Sequence, residues 1–212
     1  METKYRKIRG TGTEAELKVI PGHFATTHAH SNYYLDMSTL TTRTSEAQNV
    51  ARTLAGMYLN YMVVDTIVCL EGTSAIGAFL SEELTRSGYL SMNKHKTFYI
   101  IRPEINSSGL ILFRDNMQMA IRGKNIVVLL ATVTTGNNVR QAVDSIRYYG
   151  GKLQCVSSIF SIPDNVDGTP VISVFGKRDV PDYGFYKSEE CPLCKAGQKL
   201  DALVNAFGYT KI

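Results

Sequence analysis

No stretch of this 212-residue chain approaches the roughly 18 uninterrupted apolar residues that a membrane-spanning helix needs, so a soluble protein with no membrane partner is expected. Its start, METKYRKIRGTGTEAE, is charged and lacks the apolar core of a secretory signal, which points to the cytoplasm. Internal repeats, low-complexity tracts and Pro- or Ser-rich linkers are absent, which leaves a single domain over 1–212. The four cysteines, Cys69, Cys155, Cys191 and Cys194, do not make the disulfide framework of a small secreted fold. Concentrated basic charge is also missing: the net charge is +4, scattered apart from KYRKIR at the start and NKHK at 93–96. That balance suits an anionic small molecule better than nucleic acid. Finally, no carboxylate stands between Asn125 and Val139, although this segment has the strongest ligand-binding signature in the chain.

What is present is an alternation of elements. The segment TSEAQNVARTLAGMYLNYM places Ala47, Val50, Ala51, Leu54, Ala55, Tyr58 and Leu59 at helical spacing, with Ser45 and Gln48 in capping-box register. VDTIVCL (64–70) reads as a strand closed by Glu71 and Gly72, and SAIGAFLSEELTRSG as the helix after it. TFYIIR (97–102) is a strand stopped by Pro103, LILF (110–113) a second β-like run, and NIVVLLA a buried strand. The helix NNVRQAVDSIRYYGG and the strands KLQCVSSIFSI and PVISVF complete the series. Nearly continuous apolar strands alternating with helices predict an α/β fold, with a mainly parallel sheet covered on both faces. Ligands of such sheets bind at the carboxyl ends of strands, here the loops after Leu70 and after Ala131.

The second loop carries Thr134, Thr135, Gly136, Asn137 and Asn138. A glycine free to adopt a left-handed backbone, two hydroxyls and the amides that open a helix can surround a phosphate monoester; ordinary capping of a turn uses the same residue types. A run of four apolar residues, two positions, two more and then TTG resembles the phosphoribosyl-pyrophosphate signature of type I phosphoribosyltransferases. VIPGHFATTHAHSNYYLDMS (19–38) is similar to the N-terminal segment of the orotate phosphoribosyltransferase branch, and IVCLEGTSAIGAFLSEEL to its pyrophosphate loop and following helix. The tail CPLCKAG is similar to an ending found in some orotate-type members, so the resemblance runs from about Val19 to Gly197.

That resemblance implies a five-stranded, mainly parallel sheet flanked by helices (about 43–179) beneath a small hood built from about 1–42 and 180–212. It implies binding of phosphoribosyl pyrophosphate or a nucleotide monophosphate, magnesium as cofactor, a homodimer, and transfer of phosphoribose to a base. Thr134 to Asn138 would hold the 5-phosphate, and Glu71, Gly72, Thr73 and Ser74 would lie along the pyrophosphate. His28, His30, Tyr33, Tyr34 and Arg102 would be hood and loop contacts.

The departures from the pattern matter equally. The two positions that are acidic in active relatives are Leu130 and Ala131 here; RPEINSSG (102–109) retains only Arg102 of the catalytic loop; and Ala29, between His28 and His30, replaces a lysine. Each lost charge-assisted partner is worth about 1.5–3 kcal/mol, and each lost transition-state contact roughly 10²- to 10³-fold in rate. Phosphate affinity resting on backbone amides survives such losses better than turnover does. Catalytic residues are therefore unassigned, and two readings stand: an orotate-type transferase with an altered arrangement, or a catalytically silent ligand sensor or regulatory subunit on the same fold.

Among single residues, Glu71 is a candidate to face magnesium or a ribose hydroxyl, against the alternative of a solvated loop carboxylate; Glu104 is the other acid to consider. His23, His28 and His30 fall within eight residues but lack a cysteine neighbour in sequence. Cys191 and Cys194 form C-x-x-C, half of a zinc site, to be completed across a dimer or by histidines. A redox role fits less well, because the pair lies in a Gly- and Lys-bounded tail. Tyr33, Tyr34, Tyr148 and Tyr149 read as packing or interface residues, and the NKHK lysines as a solvated turn.

Overall fold

The computed structural model describes residues 5–27, 29–58, 60–86, 92–93, 97–106, 109–205 and 207–212; His28, Leu59, Lys94 and Lys96 lie outside them. Three strands open the chain, β1 (Arg6–Arg9), β2 (Glu16–Ala25) and β3 (Ala29–Asp36), all antiparallel neighbours. A short helix α1 (Ser38–Thr42) leads into α2 (Thr44–Tyr58). The predicted period is realised, with Ala47, Val50, Ala51, Leu54, Ala55 and Tyr58 all buried. The expected capping box is not: α2 begins at Thr44, so Ser45 lies inside its first turn, because α1 delivers the chain directly into the helix.

The central layer follows in the order β4 (Thr66–Cys69), α3 (Ser74–Arg86), β5 (Tyr99–Ile101), β6 (Glu104–Ile105), β7 (Ile111–Leu112), β8 (Asn125–Val133), α4 (Asn137–Tyr148), β9 (Lys152–Ser161), β10 (Asn165–Val166) and β11 (Thr169–Gly176). Five of these strands form a parallel array, β11-β9-β8-β4-β5, with β10 added antiparallel at the edge. Ile126 to Leu130 of β8 are fully buried on both faces, as a central parallel strand demands. β8 also runs two residues past Ala131, to Val133, so the Thr-Thr-Gly loop begins at Thr134. The LILF run does not join this sheet; Ile111–Leu112 pairs with Glu104–Ile105 as a separate two-stranded ribbon. Cys69 and Cys155 are buried core residues, and burial pushes both thiols up to about 12.

The tail supplies β12 (Phe185–Lys187), the short helix α5 (Pro192–Lys195), β13 (Ala202–Asn205) and β14 (Gly208–Lys211). These return to the N-terminal strands, giving the order β12-β3-β2-β13-β14 with β1 on β2. The hood's own core is small: Ile20, Phe24 and Ala202 are buried, with Tyr34, Val204 and Tyr209 packed on them. Its inner face, through Ala15, Leu17, Val19 and Leu35, joins the main core over α2. No helix among the described residues is long and apolar enough to cross a membrane.

Candidate functional site

In the parallel array, β4 and β8 are neighbours, and the chain leaves β4 toward β5 on one side and β8 toward β9 on the other. This is the switch point of an open α/β sheet, where the loops at the strand ends diverge and leave a crevice. Both predicted loops sit there, one after β4 and one after β8.

After β8, residues Thr132 to Val139 line a small, open, mostly polar hollow. Gly136 is the N-cap of α4, with φ 80° and ψ 2°, and no side chain caps the helix start. The first-turn amides are thus not consumed by a capping side chain, and with the helix dipole they favour an anion. Glycine is required at this position for two reasons: φ is positive, and a Cβ would stand 2.8 Å and 2.9 Å from the two Val166 methyls. Arg140 fastens the loop from one side, donating through Nη1 to the Thr135 carbonyl and Asn137 Oδ1 (both 3.1 Å) and through Nε to Asp167 Oδ2 (2.6 Å). Neither Arg140 nor Asp167 was singled out in the sequence; an arginine four residues past the loop glycine is the signal that was available.

After β4, Glu71 and Gly72 both take positive φ, 51° and 79°. A glutamate in that region is strained and persists where surrounding contacts hold it. Three contacts do so: Glu71 Oε2 accepts from the Ala131 and Thr132 amides (3.0 and 3.1 Å), and Oε1 from Asn138 Nδ2 (2.6 Å). One carboxylate therefore ties the loop after β4 to the strand end and helix start of β8 and α4. Desolvation raises its pKa above the ordinary carboxylate value, while the Thr132, Asn138 and Ala131 hydrogen bonds act in the opposite sense. Thr73 is turned inward, donating to the Leu70 and Leu129 carbonyls at 2.7 and 3.0 Å, and is fully buried. Of the Glu71–Ser74 set, then, Thr73 shapes the loop while Glu71, Gly72 and Ser74 remain exposed.

The other sequence candidates fall elsewhere. Arg102 is exposed between β5 and β6. Glu104 is held on the β6–β7 ribbon by Arg114, which donates through Nε to Oε2 at 2.7 Å and through Nη2 to Oε1 at 2.9 Å. Tyr34 is a hood packing residue against Phe24 and Tyr209, and Tyr33 packs on the main core. Leu130 is fully buried in the core between β8 and α4, whereas Ala131 is half-buried at the strand end. A magnesium ion would find Glu71 at the strand ends, and its oxygens already accept hydrogen bonds. That donor set suits an ion that arrives on a pyrophosphate better than one held by protein ligands alone.

A second cluster lies in the hood. Cys191 and Cys194 face His23 and His30 of the same chain, and the four ligand atoms lie within 4.8 Å of one another. The sequence left open whether histidines or a second chain would complete the C-x-x-C pair, because about 170 residues lie between the two features. His30, expected as a hood contact to ligand, points into this cluster, where desolvation first and then His23 hold its pKa below the ordinary value.

No protein-family model matches the chain. Among curated proteins it is similar to the orotate phosphoribosyltransferase of Thermotoga maritima, 28% identical over 189 residues that cover 84% of this chain and 88% of that one. Among solved structures it is similar to Leishmania donovani UMP synthase (TM-score 0.57, 19% identity, 85% of this chain and 36% of that one). It is also similar to Mycobacterium tuberculosis orotate phosphoribosyltransferase (TM-score 0.53, 17% identity, 77% and 92%). The chain thus spans about a third of the UMP synthase and most of the two orotate phosphoribosyltransferases.

Proposed function

We propose, for a chain that is orotate phosphoribosyltransferase-like in sequence and a type I phosphoribosyltransferase in fold, that it binds a 5-phosphorylated ribose ligand and transfers phosphoribose from phosphoribosyl pyrophosphate to a base of the orotate class. The observation that carries this reading is the uncapped start of α4 at the switch point, with Gly136 at positive φ and the Thr134–Asn138 hollow above it. The 5-phosphate would accept hydrogen bonds from the first-turn amides and the Thr134 and Thr135 hydroxyls. Glu71, tied to Ala131, Thr132 and Asn138, stands where the ribose and pyrophosphate would meet and is the acid we assign to the ribose side. Magnesium brought by the pyrophosphate would neutralise leaving-group charge. The chain's own contribution is then positioning and charge stabilisation, with no covalent nucleophile.

One observation favours a second reading: at the positions that are acidic in active relatives, Leu130 is packed in the core and Ala131 offers only a methyl group. On that reading the protein is a silent binder of the same ligand. The test is pyrophosphate release from phosphoribosyl pyrophosphate and magnesium with orotate, uracil, adenine, guanine, hypoxanthine or xanthine. Orotate-dependent release is expected. Binding of phosphoribosyl pyrophosphate without release for any base would establish the silent reading, and absence of both would refute the phosphate seat itself. A homodimer is the assembly proposed with this function, to be checked by sedimentation.

A further inference from the structure

We infer that the hood holds one structural zinc ion on His23 Nε2, His30 Nδ1, Cys191 Sγ and Cys194 Sγ. With Zn–N of about 2.0–2.1 Å and Zn–S of about 2.3 Å, a regular tetrahedron has edges of about 3.3 Å between nitrogens and about 3.6 Å between nitrogen and sulfur. The two distances from His23 Nε2 to sulfur match that geometry, the His23–His30 and Cys194–His30 distances are shorter than it by about 0.2 and 0.4 Å, and all four atoms lie within 4.8 Å of one another. His23 Nε2 lies 3.1 Å from His30 Nδ1, 3.5 Å from Cys191 Sγ and 3.6 Å from Cys194 Sγ, and Cys194 Sγ lies 3.2 Å from His30 Nδ1.

The backbone explains how the four atoms converge. In the β2–β3 pairing Ala25 stands opposite His30, and His23 lies two residues before Ala25, within the register shift between Pro21 and Phe24; the two imidazole rings meet edge to face with centroids 5.0 Å apart. β12 pairs with β3 through Tyr186 and His30, and the chain then turns through Ser188–Glu190 to present Cys191 and, one turn of α5 later, Cys194. Asp201 secures the far side of the turn: its carboxylate accepts from the His23 amide at 2.7 Å, and its own amide donates to the His23 carbonyl at 2.8 Å.

Chemistry selects the ion. His23 Nδ1 lies 2.9 Å from the Gln198 carbonyl, which can only accept, so Nδ1 carries the proton and Nε2 presents a lone pair to the cluster. Two thiolates and two neutral imidazoles offset the dication, which makes burial of His23 and Cys191, both fully enclosed, affordable for the fold. Softness and tetrahedral geometry favour zinc over magnesium or calcium. All four positions are filled by protein, so the ion has no open site for substrate and acts structurally. It cross-links β2, β3 and the C-terminal tail beside the small cluster of Ile20, Phe24 and Ala202, and so adds a fastening to the limited packing there.

The test uses the 212-residue chain and does not depend on the transferase reading. Metal analysis of the purified protein should give one zinc per chain, and Cys194→Ser should lower it to a small fraction. Should that variant fail to fold, wild-type protein stripped with chelator and titrated with cobalt(II) keeps the inference testable. It should show thiolate-to-cobalt charge transfer and intense tetrahedral ligand-field bands saturating at one equivalent, and zinc-free protein should melt at lower temperature. A weak octahedral cobalt spectrum, full zinc retention in Cys194→Ser, or a metal-free Cys191–Cys194 disulfide in the freshly purified chain would overturn it.

Discussion

Replacing Gly136 with alanine tests the phosphate seat through two energies that the structure separates. The residue has φ 80°, so any Cβ meets left-handed strain of about 1–2 kcal/mol. The same Cβ would also stand 2.8 Å and 2.9 Å from the methyls of Val166, a residue only 6% exposed. Overpacking of that kind typically costs about 1–3 kcal/mol, for a total of about 2–5 kcal/mol. Gly168 provides the control, because its φ of 84° imposes similar backbone strain while nothing lies within 4 Å of its Cβ position. Gly168→Ala should therefore cost only the first contribution, about 1–2 kcal/mol. Urea unfolding of wild type, both single variants, Val166→Ala and the Gly136→Ala/Val166→Ala double variant closes a double-mutant cycle. Positive coupling between positions 136 and 166 is expected, with Gly136→Ala also weakening phosphoribosyl-pyrophosphate binding as the α4 amides shift. A Gly136→Ala variant no less stable than Gly168→Ala, or additive with Val166→Ala, would refute the close approach on which the loop geometry depends.

Two other perturbations address the switch point. Desolvation raises the Glu71 pKa in the folded chain, so the native state holds that proton to higher pH than the unfolded state does. Its contribution to stability is complete below the unfolded carboxylate pKa and is lost as pH rises through the folded value. Glu71→Gln should flatten that stretch of the stability profile, and superimposable urea midpoints for the two proteins across the interval would contradict the assignment. Acid substitutions at 130 and 131 should part company. Leu130→Asp exchanges a fully buried core side chain for an unpaired charge, where truncation alone costs about 2–5 kcal/mol, and should not give a folded protein. Ala131→Asp should fold and bind magnesium phosphoribosyl pyrophosphate more tightly in calorimetric titration; unchanged affinity would mean that this strand end does not face the ribose.

Much of this protein is legible in one dimension because the determining interactions are local. The helical period of Ala47 to Tyr58, the all-apolar run of β8 and the left-handed glycine before Asn137 each follow from residue type and spacing within a dozen positions. What failed was also local in form but decided at a distance. Ser45 had cap spacing, yet α1 took over the entry to α2; LILF had strand composition, yet paired with Glu104–Ile105 outside the main sheet. The sequence alone determined an α/β chain with a Thr-Thr-Gly-Asn-Asn turn at the end of a buried strand and no acid inside that turn. Tertiary structure decided that Glu71, 60 positions earlier, would bring a carboxylate to the same strand end, and that His23 and His30 would meet Cys191 and Cys194. Both outcomes depend on which strands become neighbours, a choice made by burial of the whole core that no short window of sequence contains.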